Sequence, residues 1–159
     1  MNRQILLTLI FFLLAVPVYA DNTSKGPWGH AKEIEQEYSK QKVVYDAAVS
    51  TVEAMTSILD RTSYLSALNG ADPFDSKIVI VLHGNEIPFF AIKNYEKYKT
   101  IMDRAQSLTV GGTIEFRMCK IAARGKGFGA EDIHGFVSLV PMGDAEIIKL
   151  QQEGFAYMR

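Results

Sequence analysis

The chain has 159 residues, with 17 lysines and arginines against 18 acidic side chains and a single cysteine. That length suits one domain with a true core, and balanced charge without a basic stripe leaves no electrostatic footprint for nucleic acid. One cysteine cannot close a disulfide within the chain, so it is buried, paired between chains or kept for reactivity.

Met1-Asn2-Arg3-Gln4 carries one positive charge, Ile5 to Val16 is an apolar run, and Val18-Tyr19-Ala20 places small residues where a signal peptidase reads. Residues 1–20 therefore read as a secretory signal peptide cleaved after Ala20, which makes the mature chain periplasmic or secreted. The apolar run falls short of the roughly 20 residues that span a bilayer, which makes a retained transmembrane helix the minority alternative, and no membrane attachment is expected after cleavage. Residues 21–41 form a polar arm, with a turn or two of solvated helix expected over Lys32 to Glu37. Trp28 is the exception in that arm, since a large aromatic there is expected to pack on this domain or on a neighbouring subunit.

Val43-Val44-Tyr45 reads as a first strand, and Ser50-Thr51-Val52-Glu53 has the spacing of a capping box that opens a helix. Val52, Met55, Ile58, Leu59, Leu65 and Leu68 are its expected core stripe, and Asn69-Gly70 its stop. Asp72-Pro73-Phe74-Asp75 has turn chemistry. Ile78-Val79-Ile80-Val81-Leu82 is apolar without alternation, as in a strand covered on both faces at the centre of a parallel sheet. It ends on His83-Gly84-Asn85. After Pro88-Phe89-Phe90, a helix with Tyr95, Tyr98, Ile101, Met102, Ala105 and Leu108 inward runs to Gly111-Gly112.

The stretch Thr113 to Cys119 alternates, with Ile114, Phe116 and Met118 on one side, and the residues after it read as helix. Cys119 thus stands where a strand hands over to a helix, at the end of a parallel sheet where ligands and chemistry collect. A helix N-terminus with Arg117, Lys120 and His83 nearby favours the thiolate; equally, free cysteine is among the most buried residue types. The opposite side of the strand, Thr113, Glu115 and Arg117, is either wet, paired across strands or part of a subunit contact. Gly125, Gly127 and Gly129 read as turn glycines, because the loop lacks the ending of a P-loop. Phe136 to Val140 is a further strand, a helix follows with Ile147, Ile148 and Leu150 inward, and Phe155 to Met158 can add a last strand. Strands alternating with helices predict a three-layer α/β/α sandwich with a mostly parallel, roughly five-stranded sheet.

The order Val43-Val44-Tyr45-Asp46, Val79-Ile80-Val81-Leu82-His83-Gly84, Ile114 to Cys119, Ala130-Glu131-Asp132-Ile133, Val140-Pro141 and Leu150 to Tyr157 resembles the DsrE/DsrF-like sulfur-relay family, from about Lys42 to the C-terminus. The resemblance implies a flavodoxin-like domain over 42–159, assembly into trimers or hexamers, and sulfur carried as a cysteine persulfide. The sulfur-bearing position of that family corresponds here to Cys119. Relay members work beside thiol partners that donate and accept sulfur, whereas this chain reads as exported and its donor is unidentified.

His83 is the histidine expected to act beside Cys119, as a thiolate stabiliser or proton shuttle, although a turn-capping role explains it nearly as well. Asp46 can reach the same rim or serve as a helix-entry cap. His83, Gly84, Phe89 and Phe90 are the expected rim of a small-ligand pocket that Cys119 lines, with Asn85 as a further binding residue. No His, Cys and carboxylate set has metal-ligand spacing, so neither metal nor other cofactor is expected. Two functions remain open: a persulfide carrier working through Cys119, and a non-catalytic oligomeric module that binds a small ligand.

Overall fold

The computed structural model describes residues 26–159, so the expected signal peptide over 1–20 lies outside the described residues. Glu37–Arg159 is a compact unit. Residues 26–36 belong to a separate unit in which a turn closes from Gly26 to Gly29 and Trp28 is 95% exposed. The helix expected over Lys32 to Glu37 is not formed; so short a segment with few apolar anchors cannot offset the cost of nucleation.

The elements are β1 (Lys42–Asp46), α1 (Val52–Leu68), β2 (Lys77–Leu82), α2 (Tyr95–Thr109), β3 (Ile114–Cys119), α3 (Lys120–Gly125), β4 (Val137–Val140), α4 (Gly143–Gln152) and β5 (Ala156–Met158). Short 3-10 turns at Ile87–Phe90, Ile92–Asn94 and Ala130–Asp132 join them. The five strands pair in the order β4-β3-β2-β1-β5, and every pairing is parallel. This is the expected α/β architecture, with β2 at its centre and Ile78 to Leu82 without exposed surface.

Steps from β1 to β4 all move the same way along the sheet, so right-handed crossovers put their helices on one face. The return from β4 to β5 crosses the sheet in the opposite direction and puts α4 on the other. The packing follows. Ile78, Ile80, Ile114, Phe116 and Met118 meet Met55 and Leu59 of α1, Met102 and Ala105 of α2 and Ala123 of α3. Val44, Val79 and Val81 meet Ile147 and Leu150 of α4. Each large aliphatic side chain fully buried this way contributes roughly 1.5–3 kcal/mol.

Three local expectations need correction. Thr51, not Ser50, caps α1, its hydroxyl accepting from the Ala54 N–H at 3.1 Å. Leu68 is exposed, because the buried row Met55, Leu59, Thr62, Ser66 and Asn69 steps by threes and fours and Leu68 falls one residue off it. Ile148 is exposed for the same reason, one residue beside Ile147 on α4. The polar side of β3 is paired within the chain: Glu115 meets Lys77 and, at 2.8 Å, Arg117, whose other nitrogen meets Glu146 of α4.

Candidate functional site

The connections leaving β3 and β4 go to opposite faces, and such a reversal opens a crevice at the carboxyl ends of the two strands, where parallel sheets bind ligands. Here the crevice is a pocket of about 210 Å³ lined by His83, Cys119, Ile121, Met142, Gly143 and Asp144. A larger groove of about 430 Å³ runs between α1 and α2 past Val52, Thr56 and Arg104. It contains neither cysteine nor histidine, and its Arg104 is committed to Asp60.

Cys119 ends β3 and is the N-cap of α3, its Sγ accepting from the Ala122 N–H at 3.4 Å. It is 6% exposed, so what reaches the sulfur comes through the pocket. Leu82 pairs with Met118, so the next residue of each strand, His83 and Cys119, stand opposite one another on the α4 side. Gly143 fits against both: a Cβ built on it would lie 3.0 Å from the His83 Cβ and 3.2 Å from the Cys119 Cβ. A side chain at 143 would crowd the two residues that line the pocket with it.

His83 Nε2 lies 2.6 Å from Asp46 Oδ1, and the Tyr157 hydroxyl donates to Asp46 Oδ2 at 2.6 Å. Asp46, the partner of His83, stands at the end of the adjacent strand β1, and Tyr157, the second partner of Asp46, on β5 beyond it. Asp46 pairs across β1 and β2 with Val81, and Tyr157 across β5 and β1 with Val44, so all these side chains share one face. Tyr157, Asp46, His83 and Cys119 therefore form a diagonal row over four adjacent strands. Burial pushes the Asp46 carboxyl up, but the hydrogen bonds from Tyr157 and His83 outweigh it and hold it below the usual carboxylate range. The same hydrogen bond to Asp46 raises Tyr157, which stays a neutral donor.

The loop behind His83 is fastened by a residue without exposed surface, Glu86. Its Oε1 accepts from the Gly84 N–H at 2.8 Å and its Oε2 from the Val49 N–H at 3.0 Å, which ties the β2 exit to the β1 exit. Burial raises this carboxyl above its usual range, with the N–H groups of Gly84, Glu86 itself and Val49 opposing the shift.

The expected ligand pocket of Gly84, Asn85, Phe89 and Phe90 is not assembled. Phe89 and Phe90 are core residues, with Phe89 against Tyr98 at 4.7 Å between ring centroids. Gly84 instead packs under Glu86 and Ala48, where a Cβ would come within 2.7 and 2.8 Å. Asn85 is exposed and bridges Ser50 and Lys126 at 3.2 and 2.8 Å. Arg117, expected beside the thiol, is held by Glu115 and Glu146. Among the described residues, no group of three or more His, Cys, Asp or Glu is placed to hold a metal ion.

Tyr157, Gly143 and Glu86 carry no sequence motif. The available signals were weak: an aromatic at an alternate position of the last strand, a glycine opening a helix after Pro141-Met142, and an acid beside His83-Gly84-Asn85.

No family model matches the chain, and no match was found among curated proteins. Among solved structures, the chain is similar to a protein of unknown function, MTH1491, from Methanobacterium thermoautotrophicum. The two share 20% identity with a TM-score of 0.58, over 76% of this chain and 99% of that one. At that identity the likeness concerns the fold alone.

Proposed function

We propose that the protein carries sulfur as a persulfide on Cys119, handing it between thiol partners. The observation that carries this reading is the position of Cys119 at the strand-order reversal, in a small pocket it shares with a histidine held by a carboxylate. Nucleophilic cysteines are activated by such a neighbouring base, itself oriented by a third group. In the exchange, the Cys119 sulfur attacks the outer sulfur of a donor persulfide and the donor's S–S bond breaks. The donor thiolate then leaves and takes up the proton that Cys119 gave, so no electrons are gained or lost overall. Ile121 and Met142, both well exposed, and Asp144 form the rim through which a thiol partner would approach.

Incubation with glutathione persulfide followed by intact mass tests the reading. Wild type gains the mass of one sulfur atom, Cys119→Ser gains none, and His83→Ala gains it slowly. A Cys119 that neither the donor nor iodoacetamide modifies until the protein is unfolded overturns it, since that is how a structural thiol behaves. Export and homo-oligomerisation belong to the same reading, and intact mass of the secreted chain and light scattering test them.

A further inference from the structure

We propose that Asp46 and Tyr157 are positioning residues for the Cys119 chemistry: together they fix His83 with its proton on Nε2, leaving Nδ1 to accept the thiol proton. The inference rests on the sulfur-carrier reading above only for the identity of the reaction, and it adds two residues and a proton path to it.

The argument is one of donors and acceptors. An ionised carboxylate accepts and cannot donate. Asp46 accepts from the Tyr157 hydroxyl on Oδ2, so at Oδ1 it also requires a donor, and the atom there is His83 Nε2 at 2.6 Å. Nε2 must then carry the ring proton, and a neutral imidazole protonated there has its lone pair on Nδ1. Nδ1 is bonded to Cγ, and Cγ is the ring atom against Gly143, 3.3 Å from where a Cβ would stand. That glycine also packs against Cys119, and His83 and Cys119 line one pocket, so the nitrogen left without a carboxylate belongs to the ring that shares the pocket with the thiol.

The burial supports a directed contact rather than a surface ion pair. The His83 and Asp46 side chains are 21% and 15% exposed, and Tyr157 lies on an edge strand whose pairing with β1 sets its diagonal reach to Asp46. Glu86 also lies near His83, but its two oxygens are already engaged by the Gly84 and Val49 N–H groups, and Asp144, which lines the same pocket, makes no ion pair with His83 among the described residues. Asp46 is thus the carboxylate that orients the ring. In the transfer step the S–H bond of Cys119 breaks and an N–H bond forms at Nδ1. The imidazolium so formed is stabilised by Asp46 and returns its proton to the departing thiolate of the donor.

Two measurements test this on the full mature chain: the His83 tautomer, from two-bond proton–nitrogen correlations of histidine-labelled protein, and the iodoacetamide rate at Cys119. Wild-type His83 shows protonated Nε2 and unprotonated Nδ1. Asp46→Asn loses that preference and alkylates at least about tenfold more slowly, while Tyr157→Phe, on an exposed edge and harmless to the core, slows it about twofold or more. A wild-type ring protonated on Nδ1, or an unchanged alkylation rate in folded Asp46→Asn, overturns the proposal. If Asp46→Asn does not fold, an unchanged rate in Tyr157→Phe does so instead. Sulfur loading separates this from the function itself. A wild type that loads no sulfur, yet alkylates in an Asp46-dependent way, removes the carrier reading and keeps the relay; equal loading by wild type and Asp46→Asn does the reverse.

Discussion

Gly143 lies with its Cα against the side chain of Cys119, so close that a methyl added to it would stand 3.2 Å from the cysteine Cβ. The same methyl would stand 3.0 Å from the His83 Cβ. Neither neighbour can swing aside, because both atoms are fixed to strand ends. Gly143→Ala should therefore push the first turn of α4 outward, at a cost of about 1–2 kcal/mol. Urea unfolding reads the loss of stability, and iodoacetamide reads the access to Cys119, which should change with it. A variant with wild-type stability and wild-type alkylation would mean that the glycine is incidental.

Glu86 invites a different experiment, since its role is to satisfy backbone rather than to react. Removing it in Glu86→Ala leaves the N–H groups of Gly84 and Val49 without their acceptor, and each buried orphan costs about 1–3 kcal/mol. Glu86→Gln keeps one acceptor and turns an NH2 toward the other N–H, so it should fall between wild type and Ala. Equal unfolding midpoints for all three proteins would contradict this account.

The elements most legible in the sequence were those whose signal is local. Ile78 to Leu82 announced a central strand because both its faces are covered by apolar layers, and Cys119 could be placed at a strand end because the alternation stops there. Asn69-Gly70 marked the end of α1 for a backbone reason, Gly70 having φ +77°. The site was legible only in part. His83 and Cys119 could be paired by reasoning about adjacent strand ends, but the Tyr157 bond to Asp46 depends on the register of the last strand against the first, 111 residues apart. Phe89 and Phe90 misled because they follow a polar loop, and nothing local says that a 3-10 turn will fold them back into the core.

Acid should weaken the fold through His134 before it reaches the carboxylates. Its ring is stacked on Phe136 at 5.8 Å with Tyr95 edge-on at 5.6 Å, and among the described residues Nε2 is buried without a hydrogen-bond partner. Burial lowers its proton affinity below the ordinary histidine value. The unfolded chain then binds the proton more readily than the folded one, so this contribution is complete above about pH 6.5 and is lost as pH falls through the folded value. Urea midpoints should drop between about pH 7.5 and 5 in wild type and drop less in His134→Phe, which keeps an aromatic ring in place. Parallel pH slopes in the two proteins would assign the acid sensitivity elsewhere.

The ion pairs under α4 are unequal, and their order can be predicted from who has a second partner. Glu115 is shared by Lys77 and Arg117, whereas among the described residues Glu146 has Arg117 as its ionic partner. The Glu146 side chain is also the more buried of the two carboxylates, at 11% against 40% exposed. Lys77→Met leaves Glu115 paired and should cost under about 1 kcal/mol. Arg117→Met strands Glu146 where water reaches it poorly, and should cost about 2–3 kcal/mol, softened by the favourable N-terminal dipole of α4. Adding Glu146→Leu to Arg117→Met removes the stranded charge and should restore part of that loss. A double-mutant cycle over Arg117 and Glu146 measures the coupling directly. If the double variant is as unstable as the sum of the two single ones, the pair is independent and the polar side of β3 is held by something other than these charges.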